Sequence, residues 1–198
     1  MTGRFLVIGL ALVFAASYAA AQVGSEKRRS GYQDMGEALQ KMQDDDTANP
    51  GMLFVQLGSK LWAKAAGAAD KSCADCHGAA SASMKGVAAR YPAFDKATGG
   101  PIDLEQRINS CRTSHQQAAS LPFESRELLA LTAFVARQSQ GVPIETGTDP
   151  QLAPFIEKGR ERYMQRQGQL NLGCANCHDD NWDKRLAGSA ITQGHPTG

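Results

Sequence analysis

Residues 71–78 read KSCADCHG and residues 173–180 read GCANCHDD, so one 198-residue chain carries the pattern C-x-x-C-H twice. Two thiols three positions apart reach the two vinyl groups on one porphyrin edge, and the histidine that follows lies against the iron. This is the attachment signature of c-type haem. A redox dithiol has no use for the histidine. Tetrahedral zinc wants four Cys or His ligands close together, and neither motif has a second cysteine pair beside it. The reading is therefore two covalently bound haem c groups. Cys73, Cys76 and His77 hold haem 1, and Cys174, Cys177 and His178 hold haem 2.

The repeat extends beyond the motif. At an offset of 101, Phe54, Gly58 and Trp62 fall on Phe155, Gly159 and Tyr163 without a gap. Spacings of four place all three positions along one helix face. A glycine between the aromatics costs up to about 1 kcal/mol of helix propensity, so the expectation is a close helix crossing there with the rings in the core. The implied fold class is all-α: two tandem cytochrome c-like domains, the second incomplete.

Elements between the motifs follow from local signals. SMKGVAARYPAFDKATGGPIDL (83–104) is rich in Gly and Pro and reads as a haem-covering loop. Asp103 is an N-cap for a short helix through DLEQRINSCRTSHQQAA. ESRELLALTAFVARQSQG (124–141) puts Leu128, Leu131, Phe134 and Val135 on one face and is expected to cap at Gly141. This helix is the natural partner for the Gly58 crossing. VPIETGTDPQ (142–151) reads as a linker, and Asp44, Asp45 and Asp46 as a polar loop.

The chain opens with Arg4, an apolar run from Phe5 to Ala16, and Ala19 and Ala21, the pattern of a secretory signal peptide. The division expected is 1–21 signal peptide, 22–48 N-terminal extension, 49–142 first cytochrome c-like domain and 143–198 second domain. Covalent haem and an export signal together point to the periplasm. A formal net charge of +1 supplies no global field for nucleic acid or a membrane surface, so neither is an expected partner. Lys158, Arg160, Arg162 and Arg166 around the second entry helix read as a solvated face. After His178 the chain has far fewer residues than follow His77 in the first unit, and the expectation is a chain that stops short.

Four of five cysteines are haem anchors, which leaves Cys111. For the far side of haem 1 the candidates are Met84, Cys111 and His115. Met84 is too near His77 and reads as a packing residue. Cys111 and His115 lie one turn apart, and the unpaired thiol in an oxidising compartment favours Cys111. For haem 2 the remaining imidazole is His195.

SGYQDMGEALQKMQDDDTANPGM, KSCADCHG, SMKGVAARYPAFD, LLALTAFVARQS and CANCHDDNWDKRLAGSAITQGHPTG together resemble the SoxA family, dihaem subunits of thiosulfate-oxidising SoxAX complexes. The resemblance runs through essentially all of the chain after the signal. It implies His77 and Cys111 as the axial pair of haem 1, and His178 on haem 2. It also implies an L-cysteine S-thiosulfotransferase, in which thiosulfate is joined oxidatively to a cysteine of a SoxY-type carrier protein. A SoxX-like monohaem subunit would complete a heterodimer. In the family a persulfide cysteine serves haem 2, and the resemblance places its counterpart beyond Gly198, so no catalytic residue is assigned here and activity of the chain as given is in doubt. The alternative is a plain periplasmic dihaem electron-transfer cytochrome.

Overall fold

The computed structural model describes residues 30–145 and 149–193. Eight α-helices and two short antiparallel strand pairs are found among them. Helices α1 (Glu37–Asp44), α2 (Met52–Trp62), α3 (Cys73–His77), α4 (Ala80–Ser83), α5 (Leu104–Cys111) and α6 (Arg126–Arg137) precede the linker, and α7 (Ala153–Met164) and α8 (Cys174–His178) follow it. Strands β1 (Ala93–Asp95) and β2 (Gly100–Ile102) pair with each other, as do β3 (Arg185–Leu186) and β4 (Ser189–Ala190). The fold is all-α with small strand pairs. Among the described residues no helix is long and apolar enough to cross a membrane.

The main packing joins α2 to α6. Leu128, Ala130, Leu131 and Val135 form the buried stripe of α6, at the 3.6-residue period the sequence shows. Full burial of a side chain such as Leu128 stabilises by about 1.5–3 kcal/mol. Gly58 makes the crossing possible. A Cβ built there would overlap the Ala130 carbonyl and come within 2.5 Å of Phe134 Cβ. Trp62, Ala80, Leu104 and Val135 form the core cluster, with Met84, Val87, Tyr91, Ile108 and Phe134 packed around it. Met84 is thus a packing residue, as expected.

Several sequence expectations need correction. The segment 83–104 is not only loop: it folds into a β1–β2 hairpin, where Ala93 pairs with Ile102. The stretch from Asp103 is α5 followed by a π-helical turn at Arg112–Gln116, because wider i→i+5 bonds take over after Cys111. α6 stops at Arg137 with Gln138 as its cap, and Gly141 (φ +75°) closes a separate turn beyond it. Asp44 ends α1, where its carboxylate accepts from the Tyr32 hydroxyl at 2.6 Å, while Asp46 pairs with Arg137 at 2.6 Å. Of the aromatics expected in the core, only Trp62 is buried; Phe54 and Phe155 are exposed and Tyr163 is half-buried. Phe54 and Phe155 sit in the first turns of α2 and α7, and the α6 crossing meets α2 further along. Phe155 instead meets Phe94 from the first unit, ring centroids 6.5 Å apart.

The duplication reaches the backbone. The bridge Ala66–Lys71 recurs as Gln167–Leu172, and positive φ at Gly67 and Asp70 recurs at Gly168 and Asn171. Each unit therefore forms the same tight loop between its entry helix and its C-x-x-C-H turn. The copies part company at the glycine. Where Gly58 meets α6, a Cβ on Gly159 would have nothing within 4 Å among the described residues.

Candidate haem-attachment sites

Each C-x-x-C-H is a one-turn helix with a defined start. In unit 1 the Ser72 hydroxyl accepts from Asp75 N–H at 3.0 Å, and the Asp75 carboxylate accepts from Ser72 N–H at 2.7 Å, a capping box. That backbone bond holds the Asp75 carboxyl below the usual carboxylate range. In unit 2, Gly173 N–H donates to Asn176 Oδ1 at 2.9 Å. One helical turn places residues i and i+3 on the same side, so both thiols and the histidine of each motif face one locality.

In unit 1, Cys73 and Cys111 are half-buried, while Cys76, His77 and His115 are exposed. Burial raises both the Cys73 and Cys111 thiols above their ordinary values, and Cys111 interacts electrostatically with Cys73 and with Cys76. The end of α5 thus brings the fifth cysteine to the first motif, and none of the five thiols is in a disulfide. Beside Cys73, Gln116 is buried. Its amide donates to the Lys71 carbonyl at 2.8 Å, while Gln116 Oε1 and Arg112 Nε have no hydrogen-bond partner among the described residues. Sequence reasoning missed Gln116 and Arg112, since nothing local marks a π turn that folds them back toward Cys73.

In unit 2, Cys174 is exposed, and Cys177 and His178 are half-buried. His178 Nδ1 lies 2.7 Å from the Thr192 carbonyl. A carbonyl only accepts, so Nδ1 carries the proton and Nε2 presents its lone pair. This is the tautomer an axial ligand requires, held by a backbone oxygen. The donor set fits haem c: paired thiols on one edge, an imidazole beside them, and in unit 1 a further thiol brought in from α5. His195 and residues 1–21, expected as a signal peptide, lie outside the described residues.

Two attachment turns, each fed by an entry helix on an all-α scaffold, define a c-type cytochrome. Residues 57–144 match the family described as SoxA/TsdA, cytochrome c domain. The chain is 41% identical over 155 residues to the L-cysteine S-thiosulfotransferase subunit SoxA of Pseudaminobacter salicylatoxidans, covering 78% of this chain and 54% of that protein. With the subunit of the same name from Paracoccus pantotrophus it shares 32% over 169 residues, covering 85% and 58%. The fold is similar to a chain in the crystal structure of SoxXA from P. pantotrophus, with a TM-score of 0.78, 32% identity, and coverage of 84% of this chain and 63% of that one. Residues 57–144 are thus similar to the SoxA/TsdA cytochrome c domain, and the matched length as a whole is similar to SoxA subunits. It spans a little over half the length of these two curated relatives.

Proposed function

We propose that this chain is the dihaem part of a periplasmic thiosulfate-oxidising sulfur transferase, an L-cysteine S-thiosulfotransferase subunit. Similarity over most of a chain that carries two C-x-x-C-H motifs to proteins bearing that name carries the reading. Cys73 and Cys76 anchor one haem c and Cys174 and Cys177 a second. His77 and Cys111 would hold the iron of haem 1, and His178 that of haem 2. The placement of Cys111 near Cys73 and Cys76 at the end of α5 supports the pair.

The reaction joins the outer sulfur of thiosulfate to a cysteine thiolate of a SoxY-type carrier. One sulfur–sulfur bond forms, two electrons are removed from the two sulfurs, and no bond of thiosulfate breaks. Haem, when bound, supplies a one-electron redox centre whose potential a thiolate ligand lowers relative to methionine. The chain's part is to hold it: thioether anchors fix the porphyrin edge, and the Thr192 carbonyl keeps the His178 proton on Nδ1. A SoxX-like monohaem subunit is the proposed partner, since the structural neighbour comes from a SoxXA complex.

The test uses the full-length protein, exported with haem maturation and purified with its partner cytochrome. Intact mass and pyridine haemochrome should report two covalent haems on this chain. Thiosulfate and carrier protein together should yield a carrier heavier by one thiosulfonate group, with two electrons passed to an added acceptor. Haem reduction with no carrier modification would overturn the transferase and leave an electron-transfer cytochrome.

A further inference from the structure

Trp62 and Tyr163 occupy the same position of the repeat, at the end of the two entry helices, and each reaches the residue directly after an axial histidine. The Trp62 indole N–H donates to the Gly78 carbonyl at 3.0 Å. The Tyr163 hydroxyl donates to Asp179 Oδ1 at 2.8 Å. Donor and acceptor both differ between the copies, yet the link joins the same two places. At Gly78 only the backbone can accept, and an indole N–H serves. At Asp179 a carboxylate is available, and a phenol O–H makes the shorter, charge-assisted bond. In unit 1 the indole also lies against the imidazole of His77, with ring centroids 5.7 Å apart and planes 37° apart.

We propose that Trp62 and Tyr163 are paired positioning residues. Each pins the chain immediately after its histidine to the entry helix, and so sets the orientation of that imidazole toward the iron. The inference rests on the haem reading above. It follows from the one-turn geometry: His77 and His178 are the last residues of α3 and α8, the turn itself holds only the following N–H (Gly78 to the Ala74 carbonyl at 2.8 Å, Asp179 to the Ala175 carbonyl at 2.9 Å), and the Trp62 and Tyr163 bonds tie the same residue from outside the turn. Outer-shell bonds of this kind orient metal-bound histidines. Among the described residues the Thr192 carbonyl provides a second hold on His178, whereas His77 has the indole face.

The test is made on the full-length haem-loaded protein. Tyr163→Phe keeps the ring of a half-buried residue and removes only the hydroxyl. It should retain two haems, shift the g values of the haem 2 EPR signal and leave haem 1 unmoved. Asp179→Ala should reproduce that shift and add nothing to Tyr163→Phe in the double variant. Asp179→Asn, which keeps an oxygen acceptor, should restore the parental signal. Trp62→Phe should move the haem 1 signal alone; if it fails to mature, the Tyr163 series carries the test. Two haems with parental EPR in Tyr163→Phe would overturn the proposal, as would equal shifts at both haems. A parent chain with fewer than two haems would instead overturn the reading beneath it.

Discussion

The carbonyl of Ala130 sits where a Cβ on Gly58 would be, so α2 and α6 touch backbone to backbone at this point. Its repeat mate Gly159 has open space around it among the described residues. Gly58→Ala should therefore destabilise by about 1–3 kcal/mol, the usual cost of overpacking a close contact. Gly159→Ala should stabilise by up to about 1 kcal/mol, because only helix propensity changes. Thermal unfolding of the two variants of this 198-residue chain measures the contrast, and equal effects would mean that the two helices are crossed alike.

Cys111→Met should leave two haems attached, since the thioether anchors are elsewhere, and raise the haem 1 potential. Redox titration followed at the haem 1 EPR signal reads this directly. An unchanged potential would remove Cys111 from the iron.

Asp95 should make this protein acid-sensitive. Its carboxylate accepts from Thr98 N–H at 3.0 Å and from Arg107 at 2.9 Å, and the Thr98 backbone bond leads in lowering its pKa. A depressed folded-state value adds stability that is complete above the ordinary carboxylate pKa of about 3.9 and is lost as pH falls below it through the folded value. Urea midpoints taken down through that window should fall less steeply in Asp95→Asn than in the parent. Parallel curves would show that the hairpin–α5 link does not titrate with folding.

Arg137 on α6 reaches back to Asp46 in the N-terminal extension, at 2.6 Å and partly exposed on both sides. Such a pair contributes at most about 1 kcal/mol and is screened by salt. A double-mutant cycle over Asp46→Asn and Arg137→Gln should give a coupling in that range at low salt and near zero at high salt. Limited proteolysis before Asn49 should quicken in either single variant.

Much of this protein can be read along one dimension. The C-x-x-C-H motifs, the 101-residue offset, the glycine crossing and the apolar face of α6 are all local or periodic signals, and each matches an observed element. They are legible because a one-turn attachment helix and an amphipathic stripe are specified by residues within a few positions of one another. What escaped are the relations between distant parts of the chain. The hairpin at 93–102 depends on pairing two short strands, and the π turn after Cys111 depends on Gln116 reaching the Lys71 carbonyl. Phe54 and Phe155 share the motif's helical face with Trp62, yet only Trp62 lies under α6. The crossing angle of two helices, not their period, decides which turns of a stripe are covered. The same holds for His178: the motif marks it as the candidate ligand, but its tautomer is set by Thr192, which a later fold of the chain brings to 2.7 Å. Hydrogen bonds and burial answer to distances in space, and those exist only once α2, α6 and the closing loops have packed.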